Sequence, residues 1–339
     1  MLGRLIADIP GLELTPEDKE FILHPQLGGL IFFARNIESI EQLKSLIVQI
    51  RHLRPELILA IDQEGGRVQR IKEPLTVLPP LAEGIKQPSR EAAASWLTTH
   101  AWLMASEILS LDIDISFSPV LDLNLGHSEI IGNRAISGDP AELIELAQAY
   151  LLGMEQAGMA ATGKHFPGHG YVTPDSHLEL PVDDRELRDI EQRDLNVFLH
   201  LLPTLPALMT AHIVYENIAP EPVAFSNFWV EHYLKKTHAY SGIVFSDDLN
   251  MVGATAYIPD PKDKALTALN AGCDVLLNCN NRETSNLMLE AMESSQITKL
   301  PEQQANTLRC ARGWHWEAFS TSSERIEAQK KLLTLKPVP

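Results

Sequence analysis

Gly242-Ile243-Val244-Phe245-Ser246-Asp247 is a short apolar run that ends on an acid. It is too short for a helix and has the composition of a strand buried on both faces. The same grammar recurs along the chain. Strand-like runs fall at residues 4–9, 28–34, 57–62, 114–119, 159–165, 207–212, 242–247 and 274–278. Between them lie longer stretches with apolar residues at helical spacing, at 40–51, 89–110, 140–158, 182–202, 226–240, 262–272 and 282–295. Asp139-Pro140 and Ser226-Asn227 resemble helix starts, and Gly158 and Gly272 helix stops.

Strands that alternate with helices make a parallel sheet, and eight of them suggest an α/β (β/α)₈ barrel of the TIM type. The rival is a doubly wound open sheet. That fold carries a glycine-rich phosphate loop after an early strand, whereas Gly65-Gly66 is only a glycine pair. Residues 302–339 are helix-prone but polar, which predicts a peripheral helical extension outside the barrel. With no repeat, low-complexity tract or linker in view, residues 1–339 read as a single domain.

Composition narrows the function. Among 339 residues, 28 basic and 45 acidic side chains give a formal charge of −17. A nucleic-acid binder would show a basic face, so that partner is disfavoured. The cysteines, Cys273, Cys279 and Cys310, form no Cys-x-x-Cys pair, which fits a reducing compartment. Residues 1–8 are interrupted too soon for a signal peptide, and no apolar run is long enough to cross a bilayer. The expectation is a cytoplasmic protein, monomeric by default, with neither membrane nor nucleic acid as partner.

A barrel of this kind carries its chemistry at the carboxyl ends of its strands. Asp62, Lys164 with His165, His212, Asp247 and Asn278 all stand at such ends. The densest stretch is Lys164-His165-Phe166-Pro167-Gly168-His169-Gly170, followed by Thr173-Pro174-Asp175-Ser176-His177. Pro167, Gly168 and Gly170 forbid a continuous helix there. Asp175 and His177, two residues apart on extended backbone, point the same way. A carboxylate bonded to the imidazole would fix its tautomer and leave the other nitrogen free for proton transfer. An incidental surface pair is the bland alternative. Asp247 could serve as a nucleophile, with Asp248 as a helix N-cap. Asp62, Arg67, Arg70, Arg134, Lys164 and His165 look like a binding set, since carboxylates accept sugar hydroxyls and cations donate to oxygens. For any one of them a surface salt bridge is the commoner explanation.

At these residues the chain resembles family 3 glycoside hydrolases, in particular the bacterial β-N-acetylglucosaminidases of cell-wall recycling. Ile61-Asp62-Gln63-Glu64-Gly65-Gly66-Arg67-Val68, the 164–170 run, Asp175-Ser176-His177 and Phe245-Ser246-Asp247-Asp248-Leu249 carry the resemblance, in the family's order. It implies a barrel in which Asp247 is the nucleophile and His177, paired with Asp175, is the acid/base. It also implies substrate contacts at Asp62, Arg70, Arg134, Lys164 and His165; Arg67, His212 and Asn278 are secondary candidates from their own positions in the sequence. The implied substrates are muropeptide fragments bearing β-linked N-acetylglucosamine, and no cofactor or metal is implied. Three rivals stay open. His165, His169, His177, His212, Asp62 and Asp247 could hold a metal, although no His-x-His or His-Glu-x-x-His motif is present. A phosphorylase could use the same nucleophile. A non-catalytic sugar-binding module would keep Asp62 and Arg134 without needing Asp175 and His177.

Overall fold

A computed structural model describes residues 1–128, 130–172, 180–309 and 315–334. Eight strands run parallel: β1 (Leu5–Ala7), β2 (Leu27–Phe32), β3 (Ile58–Ile61), β4 (Ile115–Ser116), β5 (Thr162–Phe166), β6 (Ala207–Thr210), β7 (Ile243–Asp248) and β8 (Val275–Leu277). Their spatial order is β4-β3-β2-β1-β8-β7-β6-β5. The two ends meet just beyond β4. Thr162 N donates to Ser118 O at 2.7 Å, Lys164 N to Pro119 O at 3.1 Å, and Leu121 N to Lys164 O at 2.6 Å. The sheet thus closes into a barrel, and each of the eight expected strands takes part.

Strand parity sorts the core. Ile6, Ile31, Ile58, Ala60, Ile115, Phe117, Ala207, Met209, Ile243, Phe245, Val275 and Leu277 fill the barrel interior. Their neighbours of opposite parity, such as Leu5, Leu30, Leu59, Val244 and Leu276, pack in the layer under the helices. Both faces are buried, which is why most strands read as continuous apolar runs rather than alternating ones, β5 with its Lys164 and His165 excepted.

The surrounding helices include Ile40–Leu53, Arg90–Ser110, Pro140–Ala157, Pro261–Ala271 and Arg282–Ser294. Ser39 and Asp139 accept hydrogen bonds from Gln42 N and Glu142 N, and such caps are worth about 1 kcal/mol each. Gly158 and Gly272 end their helices at φ 85° and 116°, a conformation that favours glycine.

Three segments depart from expectation. Residues 182–202 are not one helix. Val182–Asp183 pairs with Val214–Tyr215 as a short parallel ladder. Two helices follow, Leu187–Gln192 and Asp194–Leu201, broken at Arg193. Arg185 explains the break, because it ties Asp183 (2.7 Å) to Asp194 (2.6 Å) and so folds the segment on itself. Within 226–240 the helix Phe228–Thr237 is a π-helix, with His232 N donating to Asn227 O and His238 N to Tyr233 O. The expected peripheral tail also needs correction at its start. In Glu302–Leu308, Ala305 and Leu308 join Leu2 and Leu300 in the interior cluster, so this helix plugs the amino-end mouth of the barrel. Apolar side chains there would otherwise face water.

Candidate active site

At the opposite mouth lies a cavity of about 600 Å³. Its floor is the last interior layer of the barrel: Ile31, Phe117, Met209 and Leu277. Its wall is polar, with Asp62, Glu64, Arg70, Arg134, Lys164, His165, His169, Asp247 and Asp248. Parity accounts for two of these directly. Asp62 follows Ile58 and Ala60, and Asp247 follows Ile243 and Phe245, so each acid extends an inward-facing row. Asp247 Oδ1 accepts the Asp248 N–H at 2.8 Å.

A charge network spans the β3 and β5 ends. Lys164 lies 2.6 Å from Glu64 and 3.3 Å from Asp62. Arg134 donates to both Glu64 oxygens at 2.8 Å, and Arg70 donates to Asp62 at 3.0 Å. Burial would raise the Glu64 carboxyl, but Lys164 and Arg134 outweigh it and hold the group well below the usual carboxylate range. Arg70 and Arg35 both lie over the Phe33 ring, at 5.5 and 4.5 Å.

Beside this network, buried Asp122 organises the segment after β5. Its Oδ1 accepts the backbone N–H groups of His165 (3.1 Å) and His169 (2.7 Å), and its Oδ2 lies 2.7 Å from His165 Nδ1. Burial, and then the neighbouring His165, push the His169 imidazole down to about 4. Gly170 is required where the chain crosses Leu123, because a Cβ there would sit 1.9 Å from the Leu123 carbonyl oxygen.

Behind Asp247, the chain is pinned at several points. His212 Nε2 donates to Asp248 O at 3.0 Å, Lys264 Nζ to Leu249 O at 2.7 Å, and Cys279 N to Asp248 Oδ1 at 2.8 Å. Burial pushes the Asp248 carboxyl up to about 7, with the Asp247 and Asp8 charges adding to it. Asp248 caps no helix. It knots β7 to the β8 end.

Of the residues singled out in the sequence, Asp62, Arg67, Arg70, Arg134, Lys164, His165 and Asp247 line one cavity, Arg67 at its exposed rim with a bond to Ile130 O. His212 and Asn278 do not line it. His212 braces β7, and Asn278 donates to Thr284 and Ser285 at the start of the helix Arg282–Ser294. Asp175 and His177 lie outside the described residues. Glu64, Asp122 and Asp248 were missed as site residues. Glu64 had a signal, since on extended backbone it shares a face with Asp62. Among the described residues, no group of three or more His, Cys, Asp or Glu side chains is arranged to hold a metal ion.

Comparison with known proteins agrees with this geometry. The profile of the glycosyl hydrolase family 3 N-terminal domain matches residues 5–309. A β-hexosaminidase of Tolumonas auensis is 42% identical over 334 residues, covering 98% of this chain and 97% of that protein. A β-hexosaminidase of Pseudomonas aeruginosa is 45% identical over 298 residues, covering 88% and 89%. The crystal structure of NagZ from Neisseria gonorrhoeae, in complex with N-trifluoroacetyl-D-glucosamine, superposes with a TM-score of 0.89 at 36% identity and covers 98% of each chain. A barrel whose polar mouth is built at its strand ends, matched by these relatives along nearly its whole length, belongs to glycosyl hydrolase family 3.

Proposed function

We propose that the protein is a retaining exo-β-N-acetylglucosaminidase. It removes β-linked N-acetylglucosamine from muropeptide fragments, in which the sugar is joined to 1,6-anhydro-N-acetylmuramic acid with or without peptide. The observation that carries this reading is the position of Asp247, an inward-facing carboxyl at a strand end in a polar cavity of sugar size. The names of the full-length β-hexosaminidase relatives support the same activity.

In this mechanism Asp247 attacks the anomeric carbon. His177, as imidazolium oriented by Asp175, protonates the leaving oxygen, and a covalent glycosyl-enzyme forms. His177, now neutral, activates the water that hydrolyses it, with net retention. The usual retaining pair is two carboxyl groups about 5–5.5 Å apart, and here histidine replaces one of them. Asp62, already bonded to Arg70 and Lys164, keeps lone pairs for sugar hydroxyls. Arg70, Arg134, Lys164 and His165 complete the sugar contacts. The apolar floor leaves no passage for a further sugar beneath the first, which favours exo action. The reaction needs no cofactor, and the proposed setting is the cytoplasm, acting on imported fragments as a monomer.

The test is to trap the intermediate with a slow fluorinated N-acetylglucosamine analogue and map the labelled peptide. The label is expected on Asp247. A label elsewhere, or turnover that yields sugar 1-phosphate only when phosphate is added, would overturn the assignment.

A further inference from the structure

We infer that Asp122 is a positioning residue: it fixes the His165 proton on Nδ1, so that Nε2 offers a lone pair to the cavity and accepts a hydrogen bond from a substrate hydroxyl. The inference rests on the reading of this cavity as a sugar site.

Asp122 is 1% exposed, and both its oxygens are committed. Oδ1 takes two backbone N–H groups, and Oδ2 faces His165 Nδ1 at 2.7 Å. The carboxylate cannot turn without releasing two buried amides, which would cost about 1–3 kcal/mol for each one left unmet. An ionised carboxylate only accepts, so the proton between it and the ring belongs to Nδ1. Burial pushes the Asp122 carboxyl up, but the neighbouring His165 and then His169 outweigh it and hold the group below its ordinary value. His165 lines the cavity, and no hydrogen bond to a described residue uses its Nε2.

The direction of that nitrogen matters because of its neighbours. Arg70, Arg134 and Lys164 can only donate, while Asp62 and Asp247, as anions, only accept. Nε2 is then a neutral acceptor on this wall, beside the donors and the anions. A hydroxyl that donates to it keeps two lone pairs for the adjacent cations. With the other tautomer, His165 would present a fourth donor to a wall already rich in them, and the same hydroxyl would lose its acceptor.

An asparagine at this place cannot imitate the arrangement. With its oxygen on the two backbone amides, its NH₂ group meets Nδ1 and drives the proton to Nε2. With its oxygen on Nδ1, its NH₂ group confronts two N–H donors.

The primary test uses the wild-type chain labelled with ¹⁵N-histidine, with His165 assigned by the signal lost in His165→Gln. The expected result, read at a pH where the ring carries a single proton, is a protonated Nδ1 and a bare Nε2, with the Nε2 resonance moving upfield on saturation with N-acetylglucosamine. An Nε2–H tautomer, or a bare Nε2 that stays still while the sugar binds, overturns the inference. Failure of N-acetylglucosamine to bind at all overturns instead the sugar-site reading beneath it. In Asp122→Asn, KM for an aryl β-N-acetylglucosaminide is expected to rise about tenfold with kcat little changed, as for a lost ground-state contact. A fall in kcat at constant KM, the mark of a smaller folded fraction, would count against it.

Discussion

Glu64 places one carboxylate oxygen 2.6 Å from the Lys164 ammonium while both oxygens receive the Arg134 guanidinium, and only 2% of the acid is exposed. Buried ion clusters of this kind are weak sources of stability, because desolvation offsets most of the Coulombic gain. Their effect is geometric. Glu64 fixes two long, flexible donors at the cavity wall before any ligand arrives, so their ordering entropy is not lost on binding. Asp62 does the same for Arg70 and shares Lys164.

Replacing Glu64 with Gln leaves two buried cations short of one negative charge. Removing a partner from a buried pair costs about 3–5 kcal/mol, so Glu64→Gln should unfold at markedly lower denaturant and bind sugar more weakly. The pH dependence fixes the sign. Glu64 is depressed in the folded state relative to its ordinary value of 4.5, so its contribution is complete above that value and is lost as the pH falls further. The stability gap between wild type and variant should be constant at neutral pH and narrow only below about pH 4.5. Urea titrations across this range decide it, and a gap that closes near neutrality would refute the argument.

Asp248 should behave in the opposite sense. Its folded value of about 7 lies above the ordinary 3.8, so the folded state binds the extra proton between the two. Stability therefore falls as the pH rises through that window and levels off above it. Asp248→Asn keeps an oxygen for the Cys279 and Asn250 amides but cannot ionise. Its stability curve should be flatter than that of the wild type between pH 4 and 7. Parallel curves would mean that Asp248 does not titrate there.

The barrel was legible in the sequence because both faces of the strands are buried, so most strands are apolar runs that a polar residue ends; β5, with Lys164 and His165 inside it, is the exception. Polarity at a strand end says less about the site than parity does. Asp62 and Asp247 continue inward rows, whereas Asn278 follows the inward-facing Leu277 and so turns outward to a helix start. Asp122 was hidden for a different reason. It lies beyond the last residue of β4, in irregular chain with no period to read, and its partners His165 and His169 come more than forty positions later. The break in 182–202 was hidden likewise, because one arginine between two acids overrides a good helical pattern.

The last helix, Ser323–Thr334, should matter to the distant cavity. Its Arg325 donates to buried Glu107 at 2.7 Å and to Pro74 O at 2.9 Å, and Gln329 donates to Thr76 at 2.9 Å. Thr76 O in turn accepts from Gln69, whose side chain also reaches Ile71 O, next to Arg70. Arg325→Ala leaves Glu107 buried without its cation and should lower stability by about 3–5 kcal/mol. Because the strap it holds carries Arg70, KM should rise as well in the fraction that stays folded. Active-site titration combined with initial rates separates the two effects, and an unchanged KM would confine the helix to a structural role.

Kinetics on two leaving groups test the division of labour between Asp247 and His177. With Asp247 as the proposed nucleophile, Asp247→Ala removes the covalent route itself, so hydrolysis of any aryl β-N-acetylglucosaminide should be essentially absent. General acid/base help is worth roughly 10²–10⁴ in rate, so His177→Ala should retain measurable turnover. The loss should also depend on the aglycone. An activated phenol departs as its anion with little protonation, whereas a sugar alkoxide cannot, so the variant should be far poorer on the disaccharide than on the nitrophenyl glycoside. If both substrates slow by the same factor, His177 donates no proton in the rate-limiting step and only positions the sugar. Near-normal activity of Asp247→Ala would move the nucleophile to another carboxylate in the cavity.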